Sequence, residues 1–244
     1  MPTILKMETL KVIRNKRFIF FTLVIPLVLY TVLYNFPGSE ADKENAAVVL
    51  AIISSIFATV GSGLNTLSSR VSREKPYIVN ILNITPYSPL KFITVSSLVQ
   101  LFLNAVIIAV IVLYGFIVFS LDVTFQLILM EGIILFSSIF YILLGLCLGL
   151  LLDNVTLNSV AFPLYFFVMA THMTENLFVG IVKFPEFFTT IQKVFPGIYA
   201  NTAVLNIFNG TNFSINFFML TGFVTAMFII SIVLYRVSKN KVAS

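Results

Sequence analysis

The chain has 244 residues, of which 59% are hydrophobic and 10% charged, with a mean hydropathy of +1.02. A soluble domain carries about 25% charged residues, so an ordinary soluble enzyme is excluded and an all-α integral membrane protein is indicated. The net charge of +5 is gathered at the ends of apolar runs, which marks membrane topology rather than a nucleic-acid surface.

Residues 1–17 carry Lys6, Lys11, Arg14, Lys16 and Arg17 ahead of the first apolar run. They read as an interfacial elbow on the headgroups or as a plain basic flank, because Ile4, Leu5, Met7, Leu10, Val12 and Ile13 share no clean face. The first run, 18–36, is longer than a signal-peptide core of about 7–15 residues and lacks a small-residue cleavage site, so it reads as a retained span. A span needs about 20 mostly apolar residues. The predicted spans are 18–36, 46–67, 92–120, 124–152, 156–174 and 214–235, making six, with a charged loop at 68–91 and a helical insertion at 175–213. Pro26 and Pro163 fall inside the first and fifth spans, where neighbouring helices satisfy the freed carbonyls.

Twelve of the fifteen Lys and Arg residues lie in the N-terminal segment, the 68–91 loop or the C-terminus; Lys43, Lys183 and Lys193 lie on the other side. The positive-inside rule then makes both termini cytoplasmic and the protein multi-pass. In the second span Ser55, Thr59, Ser62, Thr66 and Ser69 form one hydroxyl stripe. It fits either close helix packing or a pathway lining shared with a partner chain.

The stretch Ser72 to Phe92 is fenced by Pro76, Pro86 and Pro89. Proline suits a helix's first position and resists helix in the residue before it, so a short helix is predicted from Pro76 to about Ile84. Tyr77, Ile78, Ile81, Leu82 and Ile84 cover one face, and Asn80 and Asn83 the other. Such a rigid knob suits either docking onto a partner or folding back on the lipid interface.

Glu131 lies inside the fourth span, and an intramembrane carboxylate is a functional candidate by default; snorkelling to the outer interface is the alternative. Gly145 and Gly149 form a Gly-x-x-x-Gly that fits internal packing or a dimer seam. The fifth span offers a second stripe, Asn158, Phe162, Tyr165, Met169 and His172, which fits packing or pathway lining. His172 and Glu175 are spaced to pair across one helical turn. With Glu131 they make up a possible intramembrane polar site. Residues 177–209 are interrupted by Lys183, Pro185, Glu186, Lys193, Pro196 and Gly197, and read as an external or re-entrant helical pair.

Cys147 is the one cysteine, so no intramolecular disulfide is possible. No Gly-x-x-x-x-Gly-Lys-Ser/Thr phosphate loop and no His-Glu-x-x-His metal motif occur. The chain is therefore expected to lack its own ATPase activity, bound metal and cofactor.

The basic start, six spans, charged first loop and helical insertion before the last span resemble the permease subunits of ABC-2 type ATP-binding cassette exporters. The family's first loop typically has an acidic and basic start, a Gly-Thr-Leu, a leucine pair and Thr-Pro before Ser. Here Ser72-Arg73-Glu74-Lys75 and Leu82 followed by Thr85-Pro86-Tyr87-Ser88 stand in those places. Pro76-Tyr77 replaces Gly-Thr, the family's following acidic residue is missing and the segment is one residue longer. Phe184-Pro185, Phe195-Pro196 with Tyr199, and Asn209-Gly210 are similar to the family's proline-punctuated external helices.

The resemblance implies that Arg73, Glu74, Lys75, Tyr77, Ile78, Ile81 and Leu82 form a coupling segment seated on a cytoplasmic ATPase subunit, two copies per complex. ATP and Mg would be bound by that partner. It further implies a second permease subunit, the same or related, in a bacterial cytoplasmic membrane. Small Gram-positive exporters of this kind point to hydrophobic or amphipathic peptides, of toxin or bacteriocin type, as substrate. Two readings from other classes stand beside it: a proton-coupled secondary transporter using Glu131 or His172, and a non-transporting immunity or scaffold protein.

Overall fold

A computed structural model describes residues 19–35, 43–75, 89–172 and 185–243. Within them every apolar run is helical and no strand occurs, as expected where the backbone must satisfy itself without water. Five helices are long and apolar enough to cross a membrane: Asn45–Lys75, Lys91–Phe119, Phe125–Leu151, Asn154–His172 and Ser214–Arg236. The first predicted span, 18–36, is represented by a shorter apolar helix, Thr22–Tyr34. Pro26 lacks an N–H and crowds the carbonyl four residues back. The chain entering it widens into a π turn, Phe20–Val24, before helix α1, Ile25–Tyr34.

Helix α2 runs from Lys43 to Gly61, through a π turn at Ser62–Leu67, and on through residues 68–75. The helix thus continues beyond the predicted span, 46–67: Arg70 and Arg73 mark the edge of the apolar stretch, but nothing breaks the helix before Pro76. Helix α3, Pro89–Phe119, ends in a tight turn where Ser120 adopts φ +52° and the Leu121 N–H donates to the Gly115 carbonyl, 3.2 Å. Helix α4, Phe125–Leu151, is capped by Thr124, whose hydroxyl accepts from the Leu127 N–H. Helices α5, Asn154–His172, α6, Glu186–Gln192, α7, Pro196–Phe208, and α8, Ser214–Ala243, complete the described chain.

Two helices form the centre. Of their most apolar windows, 78% of α2 and 67% of α4 is buried within the chain, against 33% for α3 and α5 and 17% for α8. The reason is local. A Cβ on Gly145 would lie 2.0 Å from the Gly63 carbonyl oxygen, and one on Gly149 would lie 2.6 Å from that of Ser68. The two backbones meet because these side chains are absent. The Gly-x-x-x-Gly of the fourth span is therefore a seam inside this chain.

Helix α7, inside the insertion read as external or re-entrant, packs into the bundle. Its Ala200, Asn201, Ala203 and Val204 are buried, the three apolar ones in the main core. At its start Gly197 abuts the His172 ring, which bonds Tyr141; near its end the Ile207 carbonyl accepts from Gln126, 3.0 Å. From Gln126 to Tyr141 α4 rises about 22 Å, and α7 itself about 19 Å. So α7 lies antiparallel along the Gln126 half of α4. Alternating small residues and prolines hid this from hydropathy, because the helix is half a span long.

Candidate functional site

The predicted docking segment begins on the last turn of α2. Arg73 is exposed, Glu74 and Lys75 are half-buried, and Tyr77, Ile78, Ile81 and Leu82 lie outside the described residues. Ser72 Oγ donates to the Leu152 carbonyl, 3.0 Å, and Arg73 Nε to the Ser69 carbonyl, 3.2 Å. The end of α2 is thereby tied to the turn between α4 and α5. In that turn Asp153 accepts from the backbone N–H groups of Val155 and Thr156 and from the Thr156 hydroxyl, at 3.0, 3.2 and 2.6 Å. It is an N-cap for α5.

The hydrogen bonds from Thr156 hold the Asp153 carboxyl below its ordinary value. A depressed folded value means a contribution present at neutral pH and lost as the carboxyl is protonated. Asp153→Ala is expected to melt below wild type at pH 7, with the gap closing as pH falls below about 4. Thermal unfolding in detergent at the two pH values checks this.

The hydroxyl stripe of the second span divides in two. Ser55, Thr59 and Ser62 are buried, whereas Thr66 and Ser69 are half-buried. Ser55 Oγ donates to Glu131 Oε1, 2.9 Å, and Thr59 bonds back to the Ser55 carbonyl. Ser62 bonds Asn104 Oδ1, 2.5 Å, and Asn104 Nδ2 donates to Ser138 Oγ, 3.0 Å. These side chains join α2, α3 and α4 and face the bundle interior. Glu131 does not snorkel: it is 5% exposed, and its second oxygen, Oε2, has no hydrogen-bond partner among the described residues.

The fifth-span stripe spirals from outside to inside. Asn158 and Phe162 are exposed, Tyr165 is half-buried, and Met169 and His172 are buried. Tyr165 ties the helix to α2 by donating to the Phe57 carbonyl, 3.2 Å. His172 Nε2 meets the Tyr141 hydroxyl at 2.6 Å and its Nδ1 meets Asn201 Oδ1 at 3.3 Å, while Asn201 Nδ2 donates back to the His172 carbonyl. Both ring nitrogens are therefore engaged without Glu175, which lies outside the described residues. His172 and Glu131 belong to separate clusters, since Tyr141 stands about 15 Å along α4 from Glu131.

Sequence reasoning missed Asn104, Ser138, Tyr141 and Asn201. Asn104 carried a usable signal: a carboxamide amid a long apolar run is as conspicuous as Glu131. Asn201 carried none, because its helix does not register as a span.

A helical bundle with five helices long and apolar enough to cross a bilayer defines a multi-pass membrane protein. The model of the family described as "ABC-2 type transporter" matches residues 2–209, and the chain belongs to that family. It is 22% identical over 206 residues, 83% of each chain, to a Bacillus subtilis (strain 168) protein named "Putative transport permease YvfS". Family membership makes the chain a membrane subunit without ATPase motifs of its own and implies a separate ABC ATPase as partner.

Proposed function

We propose that the chain is the membrane half of an ATP-driven exporter, pairing with a second permease subunit and coupled to two ATPase chains through the segment from Arg73 to Leu82. The observation that carries this reading is the open face of α5. Helices α3 and α5 are each only 33% buried, yet α3 has a mean hydropathy of 2.8 and α5 only 1.2. A helix that exposes so much surface to lipid is expected to be as apolar as α3. The exposed Asn158, Ser159, Phe162 and Phe166 of α5 instead suit a second permease or a translocation path between the two.

That face bears carboxamide, hydroxyl and aromatic groups and no charge, which favours hydrophobic or amphipathic peptides over polyanions as cargo. Helix α1 serves as the sixth span, α7 as a re-entrant half-helix and residues 1–17 as the elbow. Both termini are on the cytoplasmic side of a bacterial cytoplasmic membrane, where the basic residues favour the anionic surface.

The test is a mild-detergent pull-down of the tagged chain, repeated with Ile78, Ile81 and Leu82 changed to Asp. Wild type is expected to bring down an ATP-binding cassette ATPase and the variant to lose at least nine-tenths of it, with an unchanged gel-filtration profile. Equal recovery by both sinks the docking assignment, and absence of any ATPase even after crosslinking sinks the exporter reading.

A further inference from the structure

Helices α3, α4 and α8 line a groove of about 330 Å³, within the size range of ligand pockets. Leu98 and Leu101 of α3, Ile139 and Leu143 of α4, and Val224 and Phe228 of α8 make it apolar, with Thr94, Ser97 and Thr225 as its polar groups. The Ser97 Oγ is buried and has no hydrogen-bond partner among the described residues. Beyond these lining residues, helical spacing places one basic residue on the same side of each of α3 and α8. Lys91, Thr94, Leu98 and Leu101 recur at helical spacing along one side of α3, and Thr225, Ile232 and Arg236 fall within about 40° of one another around α8. The ends of the two helices are joined by Phe92 and Tyr235, whose ring centroids are 5.9 Å apart. Lys91 and Arg236, each next to one of those rings, are exposed.

We infer that this groove holds one acyl chain of an anionic phospholipid, with the phosphate at Arg236 and Lys91. The depth fits. The interfacial layer of a bilayer is about 5–7 Å per leaflet. Thr94 and Ser97 lie about 4.5 and 9 Å below Lys91 along the helix axis. They therefore sit where headgroup esters give way to hydrocarbon, and the apolar residues follow below. Basic pockets between spanning helices are a recurrent means of holding anionic headgroups. A neutral lipid would fill the groove but bring no net negative charge to the two cations. A helix of a second copy would fill the apolar part and strand Arg236 beside it.

The experiment uses the purified full-length chain, delipidated in detergent and titrated with dioleoyl phosphatidylglycerol or dioleoyl phosphatidylcholine under native mass spectrometry. One phosphatidylglycerol per chain is expected, held at least ten-fold more tightly than phosphatidylcholine. Arg236→Gln and Lys91→Gln should each weaken it about five-fold, the equivalent of ~1 kcal/mol per basic side chain near an anionic headgroup. Leu98→Trp, at a half-exposed groove position, should block both lipids while leaving the melting temperature unchanged. Equal binding of the two lipids, or retention unaltered in all three variants, overturns the inference. So does a Leu98→Trp chain that keeps its lipid but loses a dimer, which would make a second copy the occupant.

Discussion

Gly145→Ala is expected to be among the most damaging single-methyl additions in this protein. The new Cβ would sit 2.0 Å from the Gly63 carbonyl oxygen and 2.8 Å from its carbonyl carbon. Both obstacles are backbone, so no side chain can swing aside, and α2 and α4 must part by more than an ångström along the most buried seam of the bundle. Overpacking usually costs about 1–3 kcal/mol, and a backbone collision at the centre places this substitution at or above the upper end. The measurement is fluorescence-detected gel filtration after heating, in detergent. Gly145→Ala should lose its monodisperse peak well below the wild-type temperature. Gly132→Ala, on the same helix with nothing within 4 Å of the added carbon, should match wild type or gain up to about 1 kcal/mol from helix propensity. If the two variants melt alike, α2 and α4 do not meet as described.

The same seam shows what the sequence could and could not disclose. Long apolar runs and basic flanks made α3, α4, α5 and the apolar part of α8 legible to within a few residues, because crossing a bilayer imposes length and composition directly. The extension of α2 to Lys75 was hidden, since hydropathy reports where a helix leaves lipid and not where it ends. Gly145 and Gly149 were visible as a packing motif, but a motif of small residues does not name its partner. Only Gly63, about two turns of helix beyond Glu131's partner Ser55, reveals that the partner is internal. The polar cluster was half legible: Ser55, Ser62 and Glu131 stood out by type, whereas their pairing across α2, α3 and α4 depends on helix rotation. The choice between an external and a re-entrant α7 was left open for a different reason. A half-length helix satisfies its own backbone and buries its apolar face against α4 and α8, and no span-length pattern records that.

Ser55→Ala is expected to cost far more when Glu131 is present than when it is not. Ser55 Oγ supplies the one hydrogen bond the Glu131 carboxyl makes among the described residues, at 2.9 Å, and Oε2 makes none. Removing the hydroxyl leaves the buried carboxyl without its partner, at a cost of about 1–3 kcal/mol for a buried polar group left unsatisfied. The reverse deletion is gentler. In Glu131→Leu the Ser55 hydroxyl can turn to a carbonyl of its own helix, as Thr59 and Ser62 already do. Replacing a poorly satisfied buried carboxyl by an apolar side chain of similar volume removes the cost of burying a polar group and is expected to be neutral or stabilising. A double-mutant cycle on thermal stability should therefore return a coupling of about 1.5–2.5 kcal/mol, with Ser55→Ala costing under about 0.5 kcal/mol when it is made in the Glu131→Leu background. Transport by the reconstituted complex then separates structure from function. A carboxyl retained at the expense of stability is explained if the transport cycle uses it, so Glu131→Leu is expected to fold as well as wild type and to transport poorly. A Glu131→Leu chain that is stable and fully active would leave the carboxyl without a role in transport. One that is destabilised by more than about 2 kcal/mol, the upper part of what a lost buried hydrogen bond costs, would make it a structural tie between α2 and α4.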